Sequence, residues 1–170
     1  NEASVLVGDF LYSRAFEMMV EVGSMQVMEI LAHTTNTIAE GEVQQLINAG
    51  NPDIEESAYY EVIQKKTAKL FEAACHSAAT LSPATAEQQQ AMALFGHHLG
   101  MAFQLVDDAL DYQGDTTQLG KNVGDDLAEG KPTLPMLFAM NRCGQQASNE
   151  SDANLIRQAL CDRNTDQLET

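Results

Sequence analysis

Residues 103–112, FQLVDDALDY, followed by residues 120–135, GKNVGDDLAEGKPTLP, decide how this chain is read. Phe103, Leu105, Val106 and Leu110 interleave with the acids, so the carboxylates emerge from a packed helix. At about 100° per residue, Gln104, Asp108 and Asp111 share one face, and Asp107 lies one turn from both Gln104 and Asp111. Carboxylates this close repel one another, and a cation relieves the repulsion. Magnesium takes oxygen ligands at about 2.0–2.1 Å, keeps several waters and needs only one or two carboxylates beside phosphate oxygens. An isolated DDxxD is more often a solvated acidic face. Here Gly120-Lys121 and Gly130-Lys131 flank Asp125-Asp126, which brings mobile cations to the same helix end and points to magnesium and a diphosphate.

Working outward, the pattern is helical throughout. A first helix is expected from Ala3 to Val22, where Val5, Phe10, Phe16 and Met19 recur at mixed three-to-four spacing before Gly23-Ser24. A second, from Ser24 to Ile47, stops at Gly50 and Pro52, and a third runs from after Asp53 through Tyr59, Val62, Leu70 and Phe71 to Thr80. The fourth, Thr85 to Tyr112, carries the aspartates near its C-terminal end, with Gly96 and Gly100 allowing close packing. Gln113 to Pro132 reads as a functional loop. Thr133 then starts a helix with Pro135 in its first turn, and a last helix covers Asp152 to Cys161. No alternating strand pattern or internal repeat competes with an all-α reading, and the 170 residues suit one helical domain.

Charge narrows the function classes. The formal net charge is −16 and the isoelectric point about 4.3, with no basic stripe, so nucleic acid is not an expected partner. An acidic cleft also repels a diphosphate unless divalent cations stand between them. Cys75, Cys143 and Cys161 are far apart and form no CxxC pair, which suits a reducing cytoplasm. No apolar run reaches the roughly 18–20 residues that span a bilayer. A calcium hand is ruled out because Thr116 and Asn122 replace its glycine and glutamate, and no GxxxxGK[ST] phosphate loop is present. His33, His76, His97 and His98 form no metal-spaced motif and read as surface or packing residues.

With LVGDFLYSRAF, AEGEVQQL, KKTAKLFEAA, GMAFQLVDDALDY and GKNVGDDLAEGKPTLP in hand, the chain resembles the all-helical trans-isoprenyl (polyprenyl) diphosphate synthases over nearly its whole length, closest to their octaprenyl branch. The resemblance implies a helical bundle of the isoprenoid synthase type, here expected to be incomplete at both ends. It implies that Asp107, Asp108 and Asp111 bind magnesium bridging to an allylic diphosphate, and that Lys66, Thr67, Gln104, Lys121 and Lys131 contact that diphosphate. By itself, Lys65-Lys66-Thr67 would read as a solvated helix face. The implied reaction is head-to-tail prenyl transfer. An allylic carbocation forms as pyrophosphate departs, and isopentenyl diphosphate attacks it, giving a long-chain diphosphate for quinone side chains. Such a site stabilises charge on the leaving group in a water-poor pocket and needs no side-chain nucleophile.

The family's first aspartate-rich motif, with its basic residues for isopentenyl diphosphate, is not in the sequence, which opens at Asn1 in apolar helical residues. Residues 1–170 alone are therefore expected to be a central piece that binds diphosphate weakly and turns nothing over. Helices one and two resemble the family's dimer-forming elements, which implies a homodimer. Met18, Met19, Met25, Met28 and Leu31 could line a tunnel for the growing chain, with ordinary core an equal reading. The competing functions are a terpenoid cyclase-like enzyme of the same fold and a non-catalytic helical subunit that pairs with a partner.

Overall fold

A computed structural model describes residues 2–113, 124–144 and 150–163, and among these it contains helices and no strand. Helix α1 spans Glu2–Val22 and α2 Met25–Asn48. A continuous rod follows, made of α3 (Glu56–Ile63), a π-helical turn (Gln64–Ala68) and α4 (Lys69–Thr80). Then come α5 (Ala86–Gln113), the single turn α6 (Asp125–Ala128), α7 (Leu134–Gly144) and α8 (Glu150–Asp162).

The breaks have local causes. Gly23 takes φ +69°, a left-handed conformation that ends α1, and Ser24 then caps α2 by accepting from the Val27 amide at 3.3 Å. Gly50 ends α2 in the same left-handed manner, and its amide donates to the Gly130 carbonyl at 2.7 Å. That bond ties the α2–α3 turn to the segment after α6. Arg157 pairs with Asp53 at 2.5 Å and fastens α8 to the same turn.

The third helix is not the uninterrupted one its apolar spacing suggests. A π turn adds about one residue to the helical count, so the phase of everything beyond it rotates by about 100°. Tyr59, Val62 and Ile63 are buried before it, while Leu70 beyond it is 53% exposed and the buried positions pass to Ala68, Ala73 and Ala79. Glycines permit the close approach of α2 and α5 to this turn. A Cβ on Gly41 would lie 2.8 Å from the Lys66 amide nitrogen, and one on Gly100 would lie 2.6 Å from the Ala68 Cα. Gly96, expected from its position to allow close packing, would place a Cβ 2.4 Å from the Phe71 carbonyl oxygen.

The core sits where α3, α5, α7 and α8 meet. Tyr59, Ile63, Leu137 and Met140 form one buried cluster, and Leu127, Met136 and Leu160 form a second. Ile156 packs against both. Away from that core, α1 buries only Met19, and Val5, Leu6, Phe10 and Leu11 are each at least 60% exposed. The segment read as a loop is partly helical: α5 continues through Gln113 and α6 follows. Residues 114–123 of it, Lys121 among them, lie outside the described residues.

Candidate functional site

The aspartate-rich turns stand at the C-terminal end of α5, where the helix dipole is negative and further carboxylates are disfavoured. Asp108 is 3% exposed there, and both its oxygens are engaged. Tyr59 donates its hydroxyl to Asp108 Oδ2 at 2.6 Å, and Gln104 Nε2 donates to Oδ1 at 2.7 Å, with a longer branch of 3.5 Å to Asp107 Oδ2. Burial pushes the Asp108 carboxyl above its ordinary pKa, and the charges of Asp126 and Asp107 add to the rise against the two hydrogen bonds. Burial also raises the Tyr59 phenol, as does its bond to Asp108, so it stays a donor.

The π turn brings Lys66 and Thr67 to the same place. Thr67 Oγ1 donates to Gln104 Oε1 at 2.8 Å, so the Gln104 amide is held at both ends. Lys66 Nζ reaches Gln45 Oε1 at 2.6 Å and Glu42 Oε2 at 3.1 Å. From the other side, Asp111 anchors α6: its carbonyl accepts from the Gly124 amide at 3.0 Å and its Oδ2 from the Asp126 amide at 3.2 Å. Gly124 takes φ +84°, a turn that leads the chain straight into α6. Asp126 then meets Lys131 Nζ at 3.1 Å, and Glu129 meets the same ammonium at 2.6 Å. Partial burial of Lys131 favours losing the proton, but Glu129 and Asp126 outweigh it and hold the ammonium above its ordinary pKa.

One cavity of ≈ 210 Å³ lies among these groups, with Lys66 and Lys131 lining it together with Asp107, Asp108 and Asp126. Of the residues singled out from the sequence, Lys66, Thr67, Gln104, Lys131, Asp107 and Asp108 line it, and Asp111 braces it through α6. Met19 is buried on α1 and Leu31 half-buried on α2, and neither is part of that lining; Met18 and Met25 are exposed. Sequence reasoning gave no site role to Tyr59 or Asn48, whereas Asp126 was read with Asp125 as the acid pair that Gly120-Lys121 and Gly130-Lys131 flank. Tyr59 was visible as a residue two helical turns before Lys66.

The donor set fits a hard divalent cation held together with a phosphate ligand. Among the described residues no group of three or more His, Cys, Asp or Glu side chains is placed to hold an ion by itself. Magnesium does not need such a cage, because one or two carboxylates suffice when phosphate oxygens and waters complete its shell. Asn48 lines the cavity and carries a buried amide nitrogen with no hydrogen-bond partner, a donor suited to a ligand rich in acceptor oxygens.

A family model for polyprenyl synthetases matches residues 1–169. The chain is 52% identical over 160 residues to octaprenyl diphosphate synthase of Escherichia coli, covering 94% of this chain and 48% of that protein. It is 45% identical to an all-trans-nonaprenyl-diphosphate synthase of Rhodobacter capsulatus, covering 99% of this chain and 50% of the other. The fold superposes with a TM-score of 0.80 on a polyprenyl synthase of Caulobacter crescentus solved with calcium and isoprenyl diphosphate. That pair shares 45% identity over 94% of this chain and 52% of the other. The chain thus spans about half the length of the relatives it matches. A helical scaffold of this shape, carrying an aspartate-rich α5 opposite a Lys-Thr π turn, belongs to the polyprenyl synthetase family.

Proposed function

We propose that the full-length protein is a prenyltransferase that adds isopentenyl diphosphate head to tail to an allylic diphosphate, and that residues 1–170 form the central helical part of its synthase domain. The observation that carries the reading is the single cavity in which Lys66 and Lys131 meet Asp107, Asp108 and Asp126, with Thr67 and Gln104 bonded between them. Cations and anions lining one cavity suit a ligand that is itself strongly anionic and bridged by metal. The 52% identity to an octaprenyl diphosphate synthase supports a long-chain product of the kind used in quinone side chains.

In this reading Asp107, Asp108 and Asp111 would hold magnesium, which would supply positive charge to the phosphate oxygens. Lys66 and Lys131, together with Lys121, give point charges for the departing pyrophosphate. Asn48 offers it a buried amide donor with no other partner, and Thr67 holds Gln104 in place beside it. The allylic C–O bond breaks with its electron pair going to pyrophosphate, and the double bond of isopentenyl diphosphate attacks the resulting cation. The proton lost from that adduct passes to the released pyrophosphate. The exposed apolar side chains of α1, Val5, Leu6, Phe10 and Leu11 among them, support pairing of two copies. The reading puts the enzyme in the cytoplasm, supported by three scattered cysteines that form no CxxC pair.

Incubation of the full-length protein with magnesium, isopentenyl diphosphate and a short allylic diphosphate is expected to give linear products several units longer, resolved by reversed-phase chromatography. Cyclic hydrocarbon or no product would sink the reading in favour of a cyclase or a non-catalytic subunit. The same assay addresses chain length. If Met19 and Leu31 line the path of the growing chain, Met19→Phe or Leu31→Phe shortens the product by one or more isoprene units at similar initial rate. Unchanged product length would return both residues to ordinary packing.

A further inference from the structure

Tyr59 is only 4% exposed, and its ring packs with Ile63, Leu137 and Met140, which accounts for an aromatic residue but not for a phenol. The hydroxyl is used elsewhere: it donates to Asp108 Oδ2 at 2.6 Å across a sequence separation of 49 residues. Asp108 in turn holds the Gln104 amide nitrogen at 2.7 Å, and the Gln104 carbonyl accepts from Thr67 at 2.8 Å. A chain of hydrogen bonds therefore runs from α3 through α5 to the π turn. It permits one orientation of the amide, because the flipped one would set the Gln104 carbonyl against two carboxylates. Without the phenol, a buried Asp108 oxygen loses its partner, which is costly enough to make the carboxylate turn and take Gln104 with it.

Resting on the reading of this cavity as a magnesium and diphosphate site, we infer that Tyr59 is a positioning residue for prenyl transfer, fixing the Asp108 carboxylate and through it the orientation of Gln104 and Thr67. Hydrogen-bond partners of carboxylates that hold a cation govern the affinity for that cation, and their loss typically costs about 10–100-fold.

The test is Tyr59→Phe in the full-length protein, titrated calorimetrically with inorganic pyrophosphate at a series of magnesium concentrations. The magnesium concentration that supports half-maximal pyrophosphate binding is expected to rise about 10-fold. Combining Tyr59→Phe with Asp108→Asn is expected to shift that midpoint by less than the two separate shifts together, since both act through one carboxylate. Val27→Ala, a core truncation on α2 outside the cavity lining, serves as the destabilised control and keeps the wild-type midpoint. A wild-type protein that binds pyrophosphate with a midpoint unmoved by Tyr59→Phe overturns the inference alone. An equal shift in Val27→Ala also overturns it, because general loosening would then explain both. A wild-type protein that binds no pyrophosphate at any magnesium concentration overturns the underlying reading and the inference with it.

Discussion

Asp107→Asn is expected to lower prenyl transfer by the full-length protein by about 10²–10³-fold, in line with the loss of one preorganised electrostatic contact to a transition state. The substitution keeps the shape of the side chain and removes its charge. Asp107 lines the cavity beside Asp108 and receives the longer branch of the Gln104 fork at 3.5 Å. Its negative charge is one of the causes that raise the Asp108 carboxyl, so the two acids repel each other across the helix end. Relieving that repulsion favours the folded state, which gives the variant a distinctive pair of results. Its melting temperature should stay level or rise slightly, while magnesium-dependent binding of pyrophosphate is lost. A purely structural acid would behave in the opposite way, with a lower melting temperature and binding intact. Differential scanning calorimetry and pyrophosphate titration on the same preparation separate the two, and retained binding would refute the cation-holding role of Asp107.

The parts of this site that were legible in the sequence are those set by local periodicity. Gln104, Asp107, Asp108 and Asp111 lie within one helix, and a repeat of 3.6 residues places them together without any knowledge of the rest of the fold. The other wall was not legible in that way. Thr67 stands 37 residues from Gln104, and nothing local to Lys65-Lys66-Thr67 distinguishes a binding turn from a solvated one, so only the family resemblance pointed to it. The π turn is also invisible to periodicity, since the apolar spacing reads as one helix. It accounts for Leu70, which an uninterrupted helix would bury and which is 53% exposed. Tyr59 was hidden for a different reason. An aromatic at helical spacing reads as core, and its ring is core, but its hydroxyl reaches a partner on another helix. Asp126 needed Gly124 and the short α6 to turn it toward Lys131, a geometry that a string of polar residues does not encode.

Gly96→Ala and Gly100→Ala are expected to be the most damaging small substitutions in the helical scaffold, although alanine is normally the better helix former. In an open helical position the exchange gains about 0.5–1 kcal/mol. At Gly96 the added Cβ would stand 2.4 Å from the Phe71 carbonyl oxygen and 2.8 Å from its carbon, and at Gly100 it would stand 2.6 Å from the Ala68 Cα. These neighbours are backbone, which cannot swing aside as a flexible side chain does, so α4 and the π turn must move away from α5. Overpacking of this kind costs about 1–3 kcal/mol and occasionally more, enough to outweigh the propensity gain. With the propensity gain subtracted, about 1–2 kcal/mol of destabilisation remains, so for a domain of this size each variant should melt about 2–8 °C lower. Gly8→Ala is the control, because its Cβ meets nothing within 4 Å on α1, and its melting temperature should hold or rise. Gly100→Ala carries a second expectation. Ala68 adjoins Thr67, so pushing it from α5 stretches the 2.8 Å bond from Thr67 to Gln104 and weakens pyrophosphate binding along with stability. Equal melting temperatures for Gly8→Ala, Gly96→Ala and Gly100→Ala would mean that the α5 contact tolerates a methyl group, and the close approach would then not be what seats Thr67 against Gln104.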